Sequence, residues 1–186
     1  MAKLTVFNFI TLNGFFKGMN NDISWHRHGE EEGKYSQEML AEDNLLLFGR
    51  TTFEMMAGFW PTPMAIEHDP IVAKGMNDAE KIVFSKTLKE TDWSNSTIVS
   101  DNMITYTKHL KENSPKNIAL LGSGSVLTQF AEENLIDEYQ IMIDPIAIGA
   151  GTPLLNGMKQ PLPLKLITSK ILKSGTVLLH YKPSNQ

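Results

Sequence analysis

The sequence predicts an α/β fold built on a mostly parallel, twisted central sheet of about eight strands that finishes in an antiparallel hairpin. Three observations carry that expectation. Short apolar runs of strand length alternate with segments of helical period as far as residue 145. Several of those runs end on glycine, hydroxyl or basic residues that open the next segment. Beyond residue 163 the pattern changes, and two β-rich runs are separated only by Lys173, Ser174 and Gly175, a short hairpin signal.

A chain of 186 residues suits one domain with a sizeable core. Its net charge of −4 argues against a general nucleic-acid binder or a protein of anionic membranes. With no cysteine, disulfides, thiolate catalysis and thiolate-held zinc or iron–sulfur centres are excluded. No apolar run approaches the roughly 20 residues of a membrane helix. The opening MAKLTVFNF lacks the apolar core and cleavage site of a secretory signal, so a cytoplasmic location is expected.

Residues 3–11 are almost all apolar or β-branched and read as a first strand covered on both faces. A turn at Leu12, Asn13 and Gly14 leads into a polar loop as far as Trp25. His26 and His28 follow, with Glu30, Glu31 and Glu32 close behind. A His-x-His pair beside carboxylates has metal-ligand character, but a solvated loop is the expected reading and no metal is assigned. Residues 33–42 form a short amphipathic helix with Tyr35, Met39 and Leu40 inward. A second buried strand at 44–48 ends on Gly49, Arg50, Thr51 and Thr52, where a helix over 51–57 begins. Arg50 at that helix start suits a phosphate monoester; equally, Thr51 caps the helix and Arg50 pairs with a surface carboxylate.

The stretch 58–69 is an aromatic and proline-rich connection. Asp69 followed by Pro70 starts a helix over 70–77. Strands at 81–84 and 97–100 come next, the first delivering Ser85, Lys86 and Thr87, the second followed by a helix from about residue 103 to 112. Residues 118–121 are a fifth strand, running through Gly122, Ser123, Gly124 and Ser125 into a helix whose apolar face is Val126, Leu127, Phe130 and Ala131. Glycines let such a turn approach a phosphate closely, and the helix N-terminus adds a partial positive charge of about half an electron unit. We read it as the pyrophosphate end of a nucleotide site, although Leu127 stands where the dinucleotide fingerprint of doubly wound sheets has its third glycine. A sixth strand covers 138–143, Asp144 and Pro145 end it, and a glycine-rich loop at 148–155 reads as a close-approach surface or a flexible connector. Ligands on parallel sheets bind beyond the carboxyl ends of the strands. The clusters at 49–52, 85–87 and 122–125 are therefore expected on one rim.

In this order the blocks resemble the dihydrofolate reductase-like family, and within it the reductase domain of the bifunctional riboflavin-biosynthesis deaminase-reductase and its stand-alone relatives. The resemblance rests on Thr11-Leu-Asn-Gly-Phe15, Leu47-Phe-Gly-Arg-Thr-Thr-Phe-Glu54 and Phe84-Ser-Lys-Thr87. Gly122-Ser-Gly-Ser-Val126, Leu135-Ile-Asp-Glu-Tyr139 and Gly149-Ala-Gly-Thr-Pro-Leu-Leu155 complete it. It implies a three-layer fold, a small-molecule substrate, a homodimer paired through its sheets, and NADPH as cofactor. The closing hairpin, with apolar Leu178 and Leu179, is expected at an exposed sheet edge suited to that pairing. By resemblance, Gly49, Arg50, Thr51 and Thr52 lie against the diphosphate and the 2′-phosphate side of the adenosine. Ser85, Lys86 and Thr87 flank the adenosine end. Gly122, Ser123, Gly124, Ser125 and Val126 hold the pyrophosphate, and Thr11, Asn13 and Gly14 lie by the nicotinamide and the substrate. The implied activity is hydride reduction of a small heterocyclic substrate, of the 5-amino-6-(5-phosphoribosylamino)uracil reductase type. Asn13 departs from the family's aspartate, and with no cysteine to complete a zinc-deaminase site a deaminase half is not expected in this sequence. Two alternatives stay open: a dihydrofolate reductase proper, drawing on Glu38 or Glu42, and a non-catalytic NADP-binding protein. Asp22 and Glu42 are positional candidates for a proton donor, and no catalytic acid is assigned.

Overall fold

The computed structural model describes residues 1–184. In chain order its elements are β1 (Leu4–Thr11), β2 (Phe15–Gly18), α1 (Glu30–Ala41), β3 (Leu45–Gly49), α2 (Arg50–Ala57), α3 (Pro63–His68), α4 (Pro70–Asp78) and β4 (Lys81–Phe84). There follow β5 (Ser96–Val99), α5 (Met103–Asn113), β6 (Ile118–Leu121), α6 (Gly124–Glu132), β7 (Glu138–Asp144), β8 (Gly151–Pro153), β9 (Leu164–Ile171) and β10 (Val177–Pro183). Eight strands form one sheet in the order β5-β4-β3-β6-β1-β7-β10-β9. The run from β5 to β7 is parallel throughout, and β10 pairs antiparallel with β7 and with β9.

The central strands are buried on both faces because side chains of opposite parity enter different cores. Leu45 and Leu47 join Leu4, Val6, Leu120, Leu127 and Phe130 on the side of α6. Leu46 and Phe48 join Phe53, Val72, Val83 and Trp93 on the side of α2 and α4. Asp69 caps α4 by accepting from the Val72 amide at 3.1 Å, with Pro70 in the first turn as expected. Buried Lys81 opens β4 and donates to the carbonyls of Met76 and Asn77 at 3.0 and 3.1 Å. Its burial pushes its pKa down to about 8.

The structure departs from the sequence reading in four places. The loop expected after Asn13 contains β2, which pairs antiparallel with β8 as a separate two-stranded sheet. That pairing explains the glycine-rich loop: a Cβ on Gly151 would stand 2.3 Å from the Lys17 carbonyl oxygen. The connection at 58–69 contains α3, capped by Thr62. The helix expected over 33–42 begins three residues earlier, at Glu30. Finally, β10 is interior, and the sheet's edge is β9, where Leu166, Ile167 and Ile171 are exposed.

Candidate active site

A parallel sheet presents all its strand ends on one side, and here β3, β4, β5 and β6 open there onto one cleft of about 1460 Å³. Gly49, Arg50, Thr51, Thr52, Ser85, Lys86, Thr87, Gly122, Ser123, Gly124, Ser125 and Val126 all line it. The cleft brings together the three clusters expected on one rim, together with a fourth, Ser100 to Asn102 beyond β5, that sequence reading passed over.

The rim is made by backbone. Gly122 and Ser123 both take the left-handed conformation, with φ of 55° and 58°. A Cβ on Gly122 would meet the Thr52 methyl at 3.1 Å, and one on Gly49 would meet a Val126 methyl at the same distance. Thr52 Oγ1 accepts from the Ser123 amide at 3.1 Å, and Ser123 Oγ accepts from the Gly49 amide at 2.8 Å. These two cross-bonds lock the start of α2 to the start of α6. Ser123 is thus the hinge pin of the rim. The Gly124 and Ser125 amides take no protein acceptor among the described residues and face the cleft. A diphosphate fits that cradle on chemical grounds: two helix N-termini, small residues and hydroxyls, with Arg50 and Lys86 at the margin.

Several side chains there behave more plainly. Arg50 donates to both Glu54 oxygens, at 3.1 and 2.9 Å, so the surface-pair alternative describes its resting contacts. Gly49, not Thr51, occupies the cap of α2. Ser85 Oγ accepts from the Thr87 and Leu88 amides and turns the chain after β4, leaving Lys86 and Thr87 exposed.

The other end of the cleft is walled by side chains. Asn8 donates to the Gly122 carbonyl at 3.3 Å, and Phe9, next on β1, stacks on His26 with centroids 3.8 Å apart and planes 7° from parallel. His26 Nδ1 lies 2.8 Å from Asp144 Oδ2. Asp144 is fully buried at the end of β7, and its other oxygen accepts from the Arg27 amide at 3.0 Å and the Thr176 hydroxyl at 3.4 Å. His28 meets the His26 ring edge-on at 4.8 Å. Glu32 on α1 is buried and accepts from the Ser174 hydroxyl. Methionines 39, 55 and 56 with Phe59 and Trp60 continue the wall to His68 and Asp69. The segment read as a solvated loop is therefore the floor of the cleft at His26. The missed partner was Asp144, 118 positions away, and only the β1–β7 pairing brings the two together.

Thr11 ends β1, Asn13 and Gly14 follow it, and none of the three is among the residues lining the cleft. Asn13 accepts from the Thr11 hydroxyl at 2.8 Å, donates to the Ile148 carbonyl at 2.8 Å and accepts from the Ile148 amide at 3.3 Å. A carboxylate could not donate to that carbonyl, so asparagine suits this clip. Asp22 and Glu42 are both exposed and outside the cleft, and Glu42 holds Asn44 instead.

The model of the RibD C-terminal domain matches residues 2–178. The chain belongs to this family. It is 30% identical over 172 residues to the uncharacterized protein YyaP of Bacillus subtilis (strain 168), covering 92% of this chain and 90% of YyaP. Among solved structures, a candidate riboflavin biosynthesis protein from Shewanella sp. PV-4 superposes with a TM-score of 0.76 at 21% identity over 99% of each chain. A diaminohydroxyphosphoribosylaminopyrimidine deaminase/5-amino-6-(5-phosphoribosylamino)uracil reductase from Thermotoga maritima gives 0.69 at 14% identity, over 98% of this chain and 56% of that one. The shared fold is dihydrofolate reductase-like, as expected. Within the RibD C-terminal family frame, the backbone rim was legible from spacing, whereas the His26–Asp144 pair carries no local signature. The nearest available signal was that a buried strand ends on an aspartate.

Proposed function

We propose that the protein is an NADPH-dependent reductase of a small heterocyclic substrate, of the riboflavin-pathway type. The observation that carries this reading is the continuity of the cleft. A glycine-built cradle at two helix N-termini opens directly into a chamber lined by methionine, aromatic and histidine side chains. Its 1460 Å³ exceeds the upper end, about 1,000 Å³, of the usual range for one small ligand, which leaves room for a dinucleotide and a substrate together.

NADPH, when bound, supplies the hydride. The chain's own residues bind, orient and exclude water. Gly122 to Ser125 and the start of α2 hold the diphosphate, and Arg50 and Lys86 lie at the margin for the 2′-phosphate. Asn8 fixes the Gly122 carbonyl where the cradle meets the chamber. Phe9 and Trp60 offer flat apolar surface against which a planar ring packs with water displaced.

A dihydrofolate reductase proper is the second reading, and buried Glu32 on α1 at the cleft wall favours it over the exposed Glu38 and Glu42. Asn13, the departure that keeps the non-catalytic reading open, is engaged with Thr11 and Ile148 and does not line the cleft. Titration of protein fluorescence with NADPH, followed by anaerobic assays with 5-amino-6-(5-phosphoribosylamino)uracil and with dihydrofolate, tests all three. Saturable binding with oxidation of NADPH in the presence of the first compound supports the proposal. Absence of NADPH binding overturns it. We also infer a homodimer through the apolar β9 edge; a monomer in sedimentation at micromolar concentration would remove that inference.

A further inference from the structure

Hydride reduction of a C=N or C=O bond needs a proton as well as a hydride, and the residues first considered for it, Asp22 and Glu42, do not reach the cleft. We propose that His26 is the catalytic proton donor and that Asp144 is its positioning residue, an inference that rests on the reductase reading above.

The geometry carries four parts of the argument. His26 lines the cleft while 8% exposed, so it is held in place without being sealed off. Its Nδ1 faces Asp144, whose oxygens already accept from the Arg27 amide and the Thr176 hydroxyl. Against such an acceptor Nδ1 carries the hydrogen, which leaves Nε2 as the exchanging atom. Nε2 makes no hydrogen bond within the described residues and is not among their sealed, unpartnered atoms. Finally, Phe9 clamps the ring face, and Phe9 follows Asn8, the residue bonded to the Gly122 carbonyl. The imidazole is therefore fixed on the wall of the cleft. The other titratable groups lining the cleft are Lys17, His28, Glu32, Arg50, His68, Asp69, Lys86 and Asp101. Of these, Glu32 is the rival donor, but it is already engaged by the Ser174 hydroxyl.

The step balances simply. The substrate carbon of the double bond gains a hydride from the reduced nicotinamide, which leaves oxidised. The π pair moves onto nitrogen or oxygen, and that atom takes the proton as the His26 Nε2–H bond breaks. The imidazolium becomes a neutral imidazole that keeps its Nδ1–H toward Asp144, and solvent restores the Nε2 proton.

The test uses the full chain, His26→Gln, Glu32→Gln and Asp144→Asn. In His26→Gln, NADPH affinity should stay within about twofold while turnover of 5-amino-6-(5-phosphoribosylamino)uracil falls by about a hundredfold or more. The loss of rate toward alkaline pH should disappear with it. Asp144→Asn, if folded, should keep that limb but lower turnover, because the ring loses the acceptor that orients its Nδ1–H. A readout independent of turnover is the His26 imidazole nitrogen resonance. The Nε2 resonance should shift when the uracil compound is added. Retained rate in His26→Gln with an unchanged pH limb, or an Nε2 resonance indifferent to the compound, overturns the proposal. Transfer of the limb to Glu32→Gln does so as well. No NADPH binding by the intact protein would instead sink the reductase reading itself.

Discussion

The two ends of the cleft are built by different means. At the cradle, β3 and β6 end on short turns, and the ligand-facing groups are main-chain amides positioned by Gly49, Gly122 and Ser123. The chamber is built of side chains: Phe9 from β1 and His26 from a loop line it, and Asp144 from β7 and Thr176 from the C-terminal hairpin stand buried behind His26. The cradle needs correct backbone over short spans of chain. The chamber needs correct tertiary structure over more than a hundred residues. Damage to the first should cost binding more than stability, and damage to the second should reverse that order.

The largest effect is expected from Asp144→Leu. It strands the His26, Arg27 and Thr176 donors in a buried site, a class of change that costs about 3–5 kcal/mol. For a chain of this size that corresponds to a fall of roughly 10 °C in melting midpoint, measurable by calorimetry. NADPH affinity of the fraction that stays folded should be little changed. A stable Asp144→Leu protein would mean that the chamber does not depend on this pair.

Gly122→Ala should come next and should act at the other end. Its φ of 55° and the 3.1 Å approach to Thr52 make a side chain strained, at a cost of about 1–3 kcal/mol. Because the strain falls on the cradle itself, NADPH binding should weaken by roughly tenfold, read by fluorescence titration. The His26 imidazole resonance should not move. If both ends respond together, the separation drawn above is wrong.

This division also explains what could be read from sequence. Strand-glycine-helix junctions such as 121–126 write their geometry into adjacent letters, since the left-handed turn and the helix start are local. The order of the blocks then placed two such junctions and the Ser85–Thr87 turn on one rim. His26 and Asp144 offered no comparable cue: each letter is ordinary where it stands, and their meeting depends on β1 and β7 being neighbours in register, Thr11 opposite Asp144. β2 and β8 escaped notice for the same reason. Three- and four-residue strands rich in glycine carry no periodicity, and only the close approach of Gly151 to Lys17 reveals the pairing. The edge position of β9 likewise follows from strand order, which a hairpin signal does not specify.

A smaller effect is expected at the cradle's margin. Arg50 already shares its charge with Glu54 on an exposed helix face, and such pairs are worth about 0.3–0.5 kcal/mol. Arg50→Ala should therefore leave stability nearly unchanged. It should weaken NADPH by up to about fivefold, a difference of about 1 kcal/mol, and NADH hardly at all. Equal losses for both dinucleotides would place Arg50 on the diphosphate and leave Lys86 to recognise the 2′-phosphate.

The smallest effect belongs to His28, at the chamber's mouth. Although its ring keeps contact with solvent, the surrounding protein pushes its pKa below the ordinary 6.5, and nearby His26 and His68 add to that against Asp144 and Glu32. Above the ordinary value neither the folded nor the unfolded chain protonates this group. As pH falls below it, the unfolded chain binds a proton that the folded chain refuses, so stability declines through the window down to the folded pKa and the loss is complete beneath it. His28→Asn should match the parent at pH 8 and lose less of its melting midpoint by pH 5, with the difference kept small by solvent screening. The same substitution made in the Gly122→Ala background should give the same difference, because the cradle holds none of the charges that act on His28. A changed difference in that background would show that the two ends of the cleft are coupled through Asn8 and Phe9, the residues of β1 that touch both.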